Sequence, residues 1–246
     1  MLFRSVVGAA ILATALPARA GDAGLDRLVA AYPDVLAGHD DAWVIFKSGK
    51  RLPVGDDEPA KSFQARLKSA SIRDQLSLPY PKGPLAAPPG PEDDPGRFRN
   101  IAFFDAIYGD CTKGEVERHL VRVPWLPKSG GGVVRATSVN GVAEKLRAVS
   151  EELDALPPEI RRHAFPSAGT YNCRVVADTG VRSAHAWGIA IDLNTASSDY
   201  WLWSKGKYRN RMPREIVEIF ERHGFVWGGK WGHFDTMHFE YRPELL

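Results

Sequence analysis

Apolar residues recur at helical spacing in two stretches of the chain. Val142, Leu146, Val149, Leu153 and Leu156 share one helix face, with Ser138 or Asn140 as candidate caps and Pro157-Pro158 as the stop. In the second stretch Pro213 suits a first helical turn, Ile216, Ile219 and Phe220 form the apolar stripe, and Gly224 closes it. A shorter helix is predicted around Leu25 to Ala31. It leads into a hairpin in which Trp43 to Phe46 and Leu52 to Val54 flank a Ser48-Gly49-Lys50 turn. Two later segments alternate with the period of a strand. From Gly188 onward, Ile189, Ile191 and Leu193 face one way while Ala190 and Asp192 face the other; further on, Met237, Phe239 and Tyr241 oppose His238 and Glu240.

Residues 79–96 interrupt these patterns with seven prolines in eighteen positions, so they form a crossing or linker. The residues before this crossing are too few for a secure core of their own and are expected to pack on the larger part of the chain beyond it. The organisation expected is a leader at residues 1–20, an N-terminal segment at 21–96 and a main domain at 97–246. Ser129-Gly130-Gly131-Gly132 lacks the ending of a phosphate loop and reads as flexible connection.

The leader changes the charge and the compartment. Residues 6–16 are uninterruptedly apolar or small, Arg4 precedes them, and Ala18-Arg19-Ala20 offers a cleavage site. The run is shorter than the about 20 residues that span a bilayer, so stable membrane insertion is not expected after cleavage. The chain is 44% hydrophobic and 25% charged, which excludes wholly disordered and multi-span membrane classes. Its 32 Lys and Arg face 30 acids, and removing the leader takes away two of the basic residues, so nothing points to nucleic acid. Export to a periplasmic or extracellular setting would let Cys111 and Cys173 form a disulfide; the alternative is a pair of buried thiols.

Chemistry concentrates in two clusters. Residues 183 to 194 read Ser-Ala-His-Ala-Trp-Gly-Ile-Ala-Ile-Asp-Leu-Asn, and residues 231 to 241 read Trp-Gly-His-Phe-Asp-Thr-Met-His-Phe-Glu-Tyr. On one straight strand His185 and Asp192 would face opposite sides, so only a bend near Trp187-Gly188 brings them together. Otherwise they are a surface histidine and a strand-end aspartate that never meet. Two imidazoles and a carboxylate are the ligand set of a catalytic zinc site with one position left for water, and a further carboxylate can serve as base.

The pairing of Ser183-x-His185-x-x-Gly188-x-Ala190-x-Asp192 with Asp235-x-x-His238-Phe239 resembles the VanY-like D-alanyl-D-alanine carboxypeptidases. That group includes phage L-alanyl-D-glutamate endolysins and D-Ala-D-Ala dipeptidases. Weaker similarity runs from about Gly169 to Leu245. The resemblance implies that His185, Asp192 and His238 hold Zn2+, that Asp235 is the catalytic base, and that Ser183 hydrogen-bonds substrate. Some relatives carry Glu at the base position, so Asp235 must sit slightly closer. An arginine upstream of the first histidine would bind the substrate carboxylate, with Arg174 preferred to Arg182.

The expected protein is α+β, a small antiparallel sheet carrying the zinc site with helices on its other face. The expected function is zinc-dependent hydrolysis of peptidoglycan stem peptides, as a carboxypeptidase. The alternatives are an endopeptidase of the L-Ala-D-Glu type and a non-catalytic cell-wall binding module. His233 reads as a residue of the site's rim, His223 as a helix end, and His39, His119 and His163 as solvated. Five of the seven tryptophans fall between positions 187 and 231, either lining a groove or packing a core.

Overall fold

A computed structural model describes residues 22–56, 61–177 and 179–246. The leader expected at residues 1–20 lies outside these. Asp22 opens helix α1 (Ala23–Ala31) by accepting from the amides of Gly24 and Leu25. Strands β1 (Leu36–His39), β2 (Trp43–Phe46) and β3 (Arg51–Pro53) come next as an antiparallel sheet in that order. The β2–β3 hairpin matches the sequence pattern. β1 does not announce itself, since Leu36 is its one large apolar residue; pairing with β2 holds it.

Short helices α2 (Phe63–Lys68) and α3 (Ile72–Leu76) precede the Pro-rich crossing, and α4 (Ile101–Tyr108) lies beyond it. Next come the hairpin β4 (Leu120–Pro124) and β5 (Val133–Thr137), then α5 (Val142–Asp154) and α6 (Pro158–Arg161). The chain ends with β6 (Ala190–Asp192), α7 (Arg214–Arg222), β7 (Phe225–Trp227) and β8 (His238–Tyr241). Helices and small antiparallel sheets make this an α+β fold.

Three local expectations need correction. The Gly130–Gly132 stretch is a tight hairpin end rather than a flexible connection: a Cβ on Gly131 would lie 2.3 Å from the Trp125 carbonyl oxygen. Neither Ser138 nor Asn140 caps α5, whose N-cap residue is Gly141 and which has no side-chain cap. Ser138 instead donates to the His119 carbonyl, and Asn140 to that of Ala31. His163 is buried, not solvated, because the backbone around it closes against Asn194.

The sheet β6-β8-β7 is antiparallel, with Asp192 opposite His238, Ile191 opposite Phe239 and Ala190 opposite Glu240. Strand alternation then sends Ile191, Phe239 and Tyr241 to the helical side. There Phe239 stacks on Phe220 of α7 with centroids 3.9 Å apart. Burying each such ring stabilises the fold by about 1.5–3 kcal/mol. The apolar core is continuous from Leu25 and Tyr32 of α1 through Phe103 and Leu146 to Phe220 and Phe239.

The Pro-rich crossing acts as a strap. Lys230 donates to the carbonyls of Pro81 and Gly83 at 2.7 Å, and the Trp231 indole to that of Pro95 at 2.6 Å. It thereby braces the segment just before β8. No helix among the described residues is long and apolar enough to cross a membrane.

Candidate metal centre and cleft

Asp192 and His238 meet because they are opposed on adjacent strands and point to the same face. His185 reaches them from a 3-10 turn, Ala184–Trp187, that ends at Gly188 with φ +66°. This is the bend that a straight strand lacks. It needs glycine twice over, since φ is left-handed and a Cβ there would lie 2.7 Å from Leu120 Cδ2.

Hydrogen bonds on the outer side of each ring orient the imidazoles. His185 Nδ1 donates to the Thr170 carbonyl. His238 Nε2 donates to Glu240 Oε2 at 3.0 Å. Each ring, when neutral, therefore turns its other nitrogen, as a lone pair, toward Asp192 Oδ1. His238 Nδ1 lies 2.9 Å from that oxygen, His185 Nε2 lies 3.1 Å from it, and the two nitrogens are 3.2 Å apart. Three acceptors at such separations repel unless a cation or proton sits among them. A tetrahedral ion with bonds of about 2.0–2.2 Å would set its ligands roughly 3.4 Å apart, close to these spacings. Among the described residues, His185, Asp192 and His238 form a possible metal site, with all ligand atoms within 4.8 Å of one another.

Glu240 extends the arrangement inward. It is fully buried and pairs with Arg99 and, at 2.9 Å, with Arg242. Burial pushes its carboxyl up, but Arg99, His238 and Arg242 overcome this and hold it well below the ordinary range. Arg242 also bonds Glu244, which accepts from Tyr32, the residue after α1, at 2.8 Å. A buried polar chain thus runs from His238 to the end of the N-terminal helix. A carboxylate behind a ligating histidine is the usual support for such a ring.

Asp235 stands outside the convergent set. Its amide donates to the Gly228 carbonyl, and its own carbonyl accepts from the His238 amide. Among the described residues, its buried Oδ1 has no partner. Burial and the nearby Asp192 charge push its carboxyl up to about 7.

Asp192, Asp235, His238 and Ser183 line a cleft of about 240 Å³ together with Arg174 and Trp231. A second cavity of about 270 Å³ shares Asp192 and Arg174 and is lined by His185 and residues 168–172. Arg174 is exposed at the junction of the two. Arg182 is committed elsewhere, paired with Asp105 and Asp110. Ser183 Oγ accepts from the His185 amide at 3.4 Å. His233 bonds Asp94 at 2.8 Å and lines the cleft without joining the convergent set. Cys111 and Cys173 are disulfide-bonded with Cα atoms 5.8 Å apart, one residue before Arg174. A larger cavity of about 360 Å³, under the Pro-rich crossing, is lined by none of these groups.

The sequence patterns do not reveal Glu240, Arg99 or the Thr170 carbonyl as parts of the site. For Glu240 a signal was present, since it shares the face of His238 two residues away. Arg99 and Thr170 sit in segments with no pattern of their own.

Residues 177–241 match the family model of the D-alanyl-D-alanine carboxypeptidases. The match bears out the resemblance carried by the two motifs. It includes Ser183, His185, Asp192, Asp235 and His238 and leaves out Arg174. Searches of curated proteins and of solved structures return no match.

Proposed function

We propose that this protein is a zinc-dependent D-alanyl-D-alanine carboxypeptidase that trims peptidoglycan stem peptides outside the cytoplasm. The observation that carries the proposal is the convergence of His185 Nε2, Asp192 Oδ1 and His238 Nδ1 inside the segment similar to that family. These three residues would hold the zinc. When bound, the ion supplies polarisation of the scissile carbonyl and lowers the pKa of water toward about 7.

The remaining steps belong to the chain's own residues. Asp235, buried and raised to about 7, takes the proton of the attacking water and delivers it to the leaving amine. Ser183 Oγ accepts from the backbone, which leaves its O–H to donate to the substrate. Arg174 lines the cleft and offers a fork for the terminal carboxylate, whereas Arg182 is already paired with Asp105 and Asp110. Residues 97–246 form the peptidase unit, with 21–96 as its brace. The leader and the Cys111–Cys173 bond support an oxidising, extracytoplasmic setting.

Zinc-loaded protein incubated with a pentapeptide stem should release one D-alanine. Amidating the substrate's C-terminus should cost about 2–4 kcal/mol of transition-state binding. Equal cleavage of acid and amide would make the enzyme an endopeptidase instead. Cleavage of neither, with retention on intact cell wall, would make it a binding module.

A further inference from the structure

Four tryptophans of this chain are buried with their indole N–H satisfied. Trp125, Trp227 and Trp231 donate to the carbonyls of Ala164, Thr236 and Pro95, and Trp187 donates to the Asp105 carboxylate. That is the ordinary condition of a structural indole. Trp201 and Trp203 differ. Both line the cleft beside Asp192 and His238. Trp203 is 63% exposed and its neighbour Leu202 is 50% exposed. Among the described residues, no hydrogen-bond partner is found for either indole N–H.

The turn that carries them is pinned by its backbone. The Trp201 amide donates to the Phe234 carbonyl at 2.9 Å, and the Gly206 amide donates to the Trp201 carbonyl at 2.8 Å. Tyr200 forms a bridge to Asp235, so the turn is fastened to the residue assigned as base. The Tyr200 ring stands at 74° to that of Trp203, at a centroid distance of 5.5 Å. Aromatic surface then continues inward. Trp201 meets His233 edge-on at 4.8 Å, and Trp231, 4% exposed, lies 5.5 Å from His238. Exposed apolar surface held rigidly at the rim of a site marks a binding surface.

We propose that residues 200–206 form a glycan-binding platform on which Trp203 stacks against a hexosamine ring. The preferred substrate is then a stem peptide still attached to its glycan strand, not the free peptide. This rests on the reading of the site as a stem-peptide hydrolase. A pyranose ring presents a flat face of C–H groups to the indole. Its hydroxyl and acetamido oxygens accept from the free indole N–H groups. The glycan of a substrate whose stem peptide lies in the cleft sits outside it, and exposed Trp203 stands at the edge of that cleft.

The test compares zinc-loaded protein and its Trp203→Ala variant on one stem peptide, presented free and carried on a disaccharide. The preference ratio, kcat/KM on the glycan-linked form over that on the free form, should fall about tenfold in the variant, and Trp203→Phe should restore part of it. An unchanged ratio overturns the platform. A second readout needs no catalysis: chitotetraose should quench tryptophan fluorescence of the unmutated protein saturably, and Trp203→Ala should abolish the saturable part. If neither peptide is cleaved, the hydrolase reading fails, while the fluorescence titration still decides the platform. Absence of saturable quenching in the unmutated protein overturns it.

Discussion

His238 faces a carboxylate on each side of its ring, Asp192 at Nδ1 and Glu240 at Nε2. Burial disfavours its imidazolium, but the hydrogen bonds to those two groups outweigh burial and raise its pKa to about 9 in the metal-free protein. A ligating ring must be neutral, so below that pKa a metal has to displace one proton. Apparent zinc affinity should therefore rise about tenfold per pH unit up to pH about 9, with close to one proton released at pH 7. Calorimetry in buffers of different ionisation enthalpy reads that proton directly, and pH-independent binding would contradict it. Asp235 meets a different demand, since it is assigned a proton to carry rather than a metal to hold. Asp235→Asn should retain zinc and the fold but lose turnover by roughly a hundredfold or more. Near-normal turnover in that variant would remove Asp235 from the mechanism.

At the scale of elements, the opposition of β6 and β8 places Asp192 across from His238, and the same register places Ala190 across from Glu240. Glu240→Gln should lower zinc affinity by about 10- to 100-fold, as the loss of a carboxylate behind a ligating histidine does elsewhere. Competition with a chromogenic chelator would measure it, and unchanged affinity would reduce Glu240 to a purely structural charge. The alternation of Ile189 to Leu193 and of Met237 to Tyr241 was legible in the sequence, because a half-buried sheet imposes period two. So were α5, α7 and the need for a bend at Gly188. The pairing register was not, since strands as short as β6 and β7 carry no signal for their partners. Arg99 and the Thr170 carbonyl were equally hidden: their contribution depends on tertiary contact, and neither lies in a periodic segment. The caps of α5 misled for the same reason, as Asn140 spends its side chain on α1.

Across the whole molecule, the candidate metal residues are braced by contacts from distant parts of the chain. The polar path from His238 through Glu240, Arg242 and Glu244 ends on Tyr32, and the disulfide ties the region just after α4 to the segment bearing Arg174. With a sequence separation of 62 between its cysteines, that bond should contribute about 4 kcal/mol by restricting the unfolded chain. Denaturant unfolding with and without reductant would show the difference, and equal midpoints would refute it. All of these supports serve one claim, that His185, Asp192 and His238 hold a single zinc on which hydrolysis depends. The most direct measurement is a zinc titration of metal-free protein, with stem-peptide hydrolysis followed at each addition. Activity should rise from baseline in proportion to zinc and level off at one equivalent per chain, with His238→Ala staying flat throughout. Full activity in the rigorously metal-free protein, or in His238→Ala, would contradict the account.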